Sequence, residues 1–363
     1  MINKMMDIGK KLGSHMYLFL KRTKFNSVLN KKLKKEDLNY LTSHEKNQAK
    51  NYWRKYTKAF PVNSCSYYSS RGGGFDKGYI PDSLYYTYID AYFNNKEKSF
   101  GMDDKNYYNK LIPNLLQPPT LLRKINGYYY GEDYNLKKLE EIGGCFDKDK
   151  KYILKPSLST QSKAGKNILF IDNPSSVNVK DLLATSDNFI IQQQVKQHKV
   201  LASLHPSSLN TIRVASLFFK GEVQILSSVL RIGVSGSRVD AGAAGGLIVG
   251  IDQKGFLKKK AYSLHDRQVY TRHPDTGVTF EGLKIPSMDE VLAIVKQEAV
   301  KLPDFRIIAW DFAIDENADV VFIEFNLRYG QLDFHQFTNG PFFKDFTDEV
   351  LEEVFLDKKK KVQ

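Results

Sequence analysis

Apolar positions in this chain switch from helical spacing near the N-terminus to strand-like runs over the second half. In "IIAWDFAIDENADVVFIEFN", residues 307 to 326, two β-rich runs flank a polar turn, the pattern of a hairpin of buried strands. A loop of Glu316 to Asp319 would set Ile314 opposite Val321, Phe312 opposite Ile323 and Asp311 opposite Glu324. Alternation then places Ile308, Trp310, Phe312 and Ile314 with Val321, Ile323 and Phe325 on a core face. Ala309, Asp311, Ala313, Glu324 and Asn326 line the other. Upstream, "KYILKP", "NILFI", "NFIIQQQV", "IRVASLFF", "VQILSSVLRIG" and "GGLIVGID" read as strands. The segment "SMDEVLAIVKQEAVKL" reads as a helix, with Ser287 as cap, Glu290 completing a capping box, and Val291, Ile294, Val295 and Ala299 as its apolar face.

Strands that follow one another without helices between them predict an α+β architecture rather than a parallel doubly wound sheet. The pattern divides the chain into a basic helical region at 1–60, a Gly/Tyr-rich segment at 61–102, α+β segments at 103–192 and 193–345, and a C-terminal helix with a basic tail at 346–363. Residues 103 to about 144 read as short helices and loops, ending in proline stops.

Hydrophobic residues are 42% of the 363 and charged residues 26%, which excludes disordered and fibrous classes. No apolar run approaches the ~20 residues of a membrane-spanning helix, and "MYLFL" is too short for a secretory signal. A cytoplasmic protein is expected. Cys65 and Cys145 make no disulfide framework, and the seven histidines form no HxxxH pair. The net charge of +13 is concentrated at the ends: residues 1 to 58 carry 15 Lys or Arg against four acids, and "KKKK" stands at 358 to 361. The body is near neutral, so no nucleic-acid partner is expected. Lysines interleaved with Ile2, Met5, Leu12, Met16 and Phe19 suit an amphipathic helix lying on an anionic membrane, at the inner face for a cytoplasmic protein; a helix packed on its own domain remains equally open.

The hairpin carries the first chemical signal. Directly opposed carboxylates stand roughly 5 Å apart and repel unless something neutralises them. Asp311, Glu324 and Asn326 are hard oxygen ligands suited to Mg²⁺, which completes its shell with phosphate and water. A solvated strand face without metal is the alternative; for a metal site, removal of one acid would relieve repulsion in the metal-free protein, whereas a large loss of melting temperature would favour a structural role. Lys155 stands at the end of a strand before the Ser/Thr-bearing loop "PSLSTQSKAGKN", which has donors for an anion but is not a Walker A loop. Gln192, Gln193 and Gln194 end another strand, where amides could meet an adenine edge or cap the strand. Arg213 and Arg231 sit inside strand runs, where an unpaired charge is costly, so each faces a ligand or a structural acid. Gly242, Gly245 and Gly246 suit a close backbone approach.

In order, "DDKNYYNKLI", "YILKPS", "FIIQQQVKQH", "SLNTIRVASL", "VLRIG", "DAGAAGGLIVGID", "RHPDTGVTFEG", "WDFAI" and "FIEFN" resemble the sugar-transfer associated branch of the ATP-grasp superfamily, over about residues 75 to 340. The resemblance implies two α+β subdomains gripping ATP. It assigns Lys105, Lys155, Ser159, Lys163, Gln192, Gln193 and Asn210 to the nucleotide, Asp311, Glu324 and Asn326 to Mg²⁺, and Arg213 and Arg231 to catalysis at the phosphate or the substrate carboxylate. Two departures stand out: a phosphate loop with the single glycine Gly165, and Gln193 where relatives often carry Glu. The implied chemistry is an ATP-dependent carboxylate-amine ligase working through an acyl phosphate on a small carboxylate or sugar acid and an amine. A sugar kinase and a non-catalytic nucleotide binder in polysaccharide assembly are the alternatives. The aromatic segment "YIPDSLYYTYIDAYF" offers candidate platforms for sugar faces, with core packing as the plainer use.

Overall fold

The computed structural model of the chain describes residues 2–36, 41–58, 60–71, 73–158, 167–176, 178–183, 187–240, 245–263, 268–328 and 330–357. Two units are present, Met1–Asn95 with Arg328–Gln363, and Lys96–Leu327.

The first unit is helical among its described residues. It begins with α1 (Ile2–Glu36) and α2 (Ser43–Arg54), the latter started by a capping box between Thr42 and Glu45. The sequence divides this unit into separate terminal segments because nothing local shows that the chain ends meet. Long-range contacts join them: Tyr52 and Tyr56 both donate to Asp348 Oδ1, at 2.6 and 2.7 Å, and the Tyr67 and Phe337 rings pack edge to face at 5.1 Å. The Gly/Tyr-rich segment supplies this unit's core rather than sugar platforms. Tyr79, Tyr85, Tyr86 and Phe93 are buried, and the Tyr68 ring stacks on Tyr79 at 5.5 Å. Aromatic area is worth most out of water.

The second unit holds two sheets of antiparallel strands. The six-stranded sheet comprises β1 (Thr120–Ile125), β2 (Tyr128–Tyr130), β3 (Leu136–Lys137), β4 (Tyr152–Pro156), β5 (Leu169–Ile171) and β6 (Phe189–Gln193), in the order β3-β2-β1-β6-β4-β5. The seven-stranded sheet comprises β7 (Thr211–Phe219), β8 (Glu222–Ile232), β9 (Leu247–Ile251), β10 (Leu257–Ser263), β11 (Val269–Tyr270), β12 (Ile307–Ile314) and β13 (Val320–Asn326), ordered β11-β10-β9-β8-β7-β12-β13. Strands β1 to β3 fall where the sequence suggested helix and loop. The overlooked signal was Asn126-Gly127, whose φ angles of 50° and 84° make the tight turn between β1 and β2.

The helix Met288–Ala299 covers the seven-stranded sheet with Val291, Val295 and Ala299 in the core, and Ile294 packs against that core half-buried. Ser287 does not cap it. That residue adopts a left-handed backbone, φ 53°, and its hydroxyl donates to the Ala318 carbonyl at 2.6 Å. The β12–β13 pairing keeps Asp311 opposite Glu324 but is irregular beside that pair: Phe312 faces Phe322 and Ile314 faces Val320. A bulge at Ile323 moves Val320 and Phe322 into the core, and Ile323 turns to a cavity with Glu324.

Gly233, just after β8, illustrates the packing beneath that cavity. A Cβ there would sit 2.7 Å from His205 Nδ1 and closer still to Ser208 Oγ, both buried side chains. Gly233→Ala is therefore expected to cost about 1–3 kcal/mol, read as a shift in urea midpoint without a change of slope.

Candidate functional site

A row of charges crosses the seven-stranded sheet. Register places Arg213 on β7 opposite Asp311 on β12, and Asp311 opposite Glu324 on β13. Arg213 grips Asp311 through two bonds, Nε to Oδ1 at 2.7 Å and Nη2 to Oδ2 at 2.6 Å. Arg231 Nη1 donates to the same Oδ2 at 3.0 Å, and its Nη2 lies 3.2 Å from Asp240 Oδ1. Asp240 is fastened in turn by the Thr211 hydroxyl and backbone N–H. Glu324 has its own cation, Lys105, with Nζ 2.8 Å from Oε2. Protein cations thus offset the repulsion expected between the opposed acids.

These pairs set the protonation of the site. Burial pushes the Glu324 carboxyl up, but Lys105, with Arg213 and Arg231 behind it, overrides that and brings it down to about 2. Lys155 moves the other way. Burial first, then the charge of Lys105, lowers its ammonium to about 8 against the pull of Glu324. For Arg213, burial opposes the charge and Asp311 more than restores it. Burial raises the Asp240 carboxyl despite Arg231.

The charged row forms one wall of a cavity of about 830 Å³ between the two sheets. The opposite wall is apolar and amide-bearing, with Ile153 and Lys155 on β4, Phe170 on β5 and Gln193 on β6. Lys105 is placed by its backbone, whose N–H donates to the Ser157 carbonyl at 2.9 Å.

Of the residues expected at the site, Lys105, Lys155, Gln193, Arg231, Asp311 and Glu324 line this cavity. Arg213 is buried against Asp311. Asn326 lies two residues beyond Glu324 on the same face, and its Nδ2 has no hydrogen-bond partner among the described residues. Two further expected residues do not line the cavity. Gln192 opposes Ile153 in the β4–β6 register but does not line it, because its amide donates to the Pro118 carbonyl at 3.2 Å. Asn210 is fully buried and braces a loop, donating to the Leu201 and His205 carbonyls at 2.9 and 3.0 Å and accepting from Ser208 Oγ. Ser159, Lys163, Gly165 and Gly242 lie outside the described residues.

Sequence reasoning missed Asp240 and Arg238. Both sit in the glycine-bearing segment after β8, where the glycines alone drew notice. Arg238 reaches across the cavity rim to Asp172 with bonds of 2.5 and 2.9 Å, its guanidinium 3.9 Å from the centre of the Phe170 ring.

The family model for sugar-transfer associated ATP-grasp proteins matches residues 85–351, most of the chain. This chain belongs to the sugar-transfer associated ATP-grasp family. Its α+β architecture of paired antiparallel sheets is the ATP-grasp fold. A search of the curated proteins finds no match. Among solved structures, D-alanyl-alanine synthetase A from Vibrio cholerae is similar at 12% identity and a TM-score of 0.43, over 73% of this chain and 68% of that one. An ADP complex of N5-carboxyaminoimidazole synthetase from Staphylococcus aureus is similar at 9% identity and a TM-score of 0.40, over 67% of this chain. There the ATP-grasp match spans half of that chain's length, 50%. An L-amino acid ligase from Bacillus licheniformis is similar at 13% identity and a TM-score of 0.35, over 63% of this chain and 41% of that one. At such distances none of them speaks to what this ATP-grasp chain acts on.

The cavity's chemistry fits a nucleotide. It joins an apolar wall to a cationic end, and polar groups near that end have no hydrogen-bond partner among the described residues: Ser157 Oγ, Arg231 Nε and Asn326 Nδ2. Buried donors of this kind are costly unless a ligand takes them. The fit to Mg²⁺ is narrower. Among the described residues no group of three His, Cys, Asp or Glu side chains is arranged to hold a metal, and both oxygens of Asp311 already accept from guanidiniums. Glu324 and Asn326 retain the donor chemistry for a hard cation.

Proposed function

We propose that this ATP-grasp protein is an ATP-dependent carboxylate-amine ligase that forms an amide on a sugar acid of a surface polysaccharide or its precursor. The observation that carries the reading is Arg231. It lines the cavity, holds Asp311 and Asp240, and has an Nε–H with no partner among the described residues beside the cationic end where Lys105 and Lys155 stand. A guanidinium so placed suits a planar carboxylate or a phosphate.

Lys105 and Lys155 would hold the transferring phosphoryl group, and Gln193 would meet the base. Arg231, backed by Arg213 through Asp311, would orient the nucleophilic carboxylate. That carboxylate oxygen attacks the γ-phosphorus and ADP leaves; the amine then attacks the acyl carbon, phosphate departs and the amine loses a proton. Bound Mg²⁺ would supply charge neutralisation on the phosphoryl oxygens, held by Glu324 and Asn326, with Asp311 joining only by giving up Arg231 to Asp240. The sugar-transfer association of the family supports a uronic acid as the carboxylate. A cytoplasmic setting supplies ATP and suits the two free thiols, Cys65 and Cys145.

Hydroxylamine offered with Mg-ATP and a panel of uronic acids is expected to yield a hydroxamate and ADP, and Arg231→Ala is expected to suppress both. Phosphate transferred to a sugar hydroxyl, with no hydroxamate from any acid, would replace the ligase by a kinase.

A further inference from the structure

The helix α1 is anchored only along its later turns among the residues whose side chains are described. Leu29 is buried, Phe25 stacks on Tyr86 at 5.1 Å, and Lys32 donates to the Tyr67 hydroxyl at 3.2 Å. Earlier in the helix the pattern reverses. Met16, Tyr17, Phe19 and Leu20 are 64%, 62%, 55% and 59% exposed. At 100° per residue they fill one continuous arc of about 160°. Four large apolar side chains in water on one face mark a surface that something covers.

Charge selects the occupant. Residues 2–36 carry ten Lys or Arg against two acids, so a second copy of the helix would meet strong like-charge repulsion, whereas an anionic surface is complementary. The Arg22 guanidinium lies 5.7 Å from the Phe19 ring centre, the pairing of aromatic body and cationic head that suits a headgroup boundary. No helix among the described residues is long and apolar enough to cross a membrane. We propose that the early part of α1 lies flat on an anionic lipid surface, with Met16, Tyr17, Phe19 and Leu20 at the headgroup-acyl boundary and the lysines against lipid charge.

Co-sedimentation of the full-length protein with vesicles of phosphatidylcholine containing about 30% phosphatidylserine tests this, beside vesicles of phosphatidylcholine alone. Partitioning is expected to need the anionic lipid, and to fall at least about tenfold in the Phe19→Glu, Leu20→Glu double variant and again at ~0.5 M salt. Both sites are exposed, so melting temperature and nucleotide binding should not change in that variant. Equal partitioning of the variant, equal binding to neutral vesicles, or no binding at all would overturn the proposal. A lipid-free dimer that the double substitution dissociates would overturn it too, and would assign the arc to a second copy.

Discussion

Asp311→Asn is expected to destabilise the protein by about 3–5 kcal/mol and to abolish ATP cleavage, because two guanidiniums would be left facing a neutral amide in a buried site. Arg213 and Asp311 are 3% and 1% exposed, so water cannot screen the loss. The sequence suggested the opposite, relief of repulsion, since it showed two acids face to face and hid the cations on neighbouring strands. Glu324→Gln is expected to separate the two effects. It removes one partner of Lys105 at the edge of the cavity, with a smaller stability loss and at least about a hundredfold loss of ATP turnover. The acid limb gives an independent check. Lys105 holds Glu324 at about 2, below its ordinary 4.5, so the pair stabilises the fold above pH 4.5 and loses that contribution as pH falls toward 2. Urea titrations across that window should show the loss in the parent protein and not in Glu324→Gln; an identical acid limb in both would remove the Lys105 pairing from the account.

Lys155→Met should weaken ADP binding by about 10- to 100-fold, the worth of one charge-assisted phosphate contact. The pH dependence is the sharper readout. With its pKa lowered to about 8, Lys155 is charged below that value and loses its proton as pH rises through it. Nucleotide affinity in the parent protein should therefore hold steady up to pH 8 and weaken above it, with binding at higher pH taking up a proton. In Lys155→Met the weakening above pH 8 should vanish. Calorimetry in buffers of different ionisation enthalpy checks the proton count. A parent protein whose ADP affinity is flat from pH 7 to about 9.5 would place Lys155 away from the phosphates.

What the sequence revealed followed from strong local periodicity. The opposition of Asp311 and Glu324 was legible because a polar turn separates two apolar runs of similar length, whereas the bulge at Ile323 was not, since a one-residue slip is settled by core packing. Gln193 lines the cavity and Gln192 was not told apart from it, because the bond of the Gln192 amide to the Pro118 carbonyl is a tertiary contact that a run of three amides does not reveal. The hydroxyl of Ser287 went to Ala318 instead of the helix start, a tertiary contact that no capping pattern anticipates. Arg213 and Arg231 were recognised as charges in need of partners, but the choice between ligand and structural acid required the sheet register. The structure pairs both with Asp311 and leaves the Nε–H of Arg231 without a partner among the described residues.

The reaction itself is tested most directly with a uronic acid labelled with ¹⁸O in both carboxylate oxygens, turned over with Mg-ATP and the amine it accepts. The ligase reading predicts one ¹⁸O in the inorganic phosphate released per turnover and one retained in the amide, because the carboxylate oxygen that attacks the γ-phosphorus leaves with it. Unlabelled phosphate, or a sugar phosphate with both ¹⁸O atoms still on its carboxylate, would contradict it.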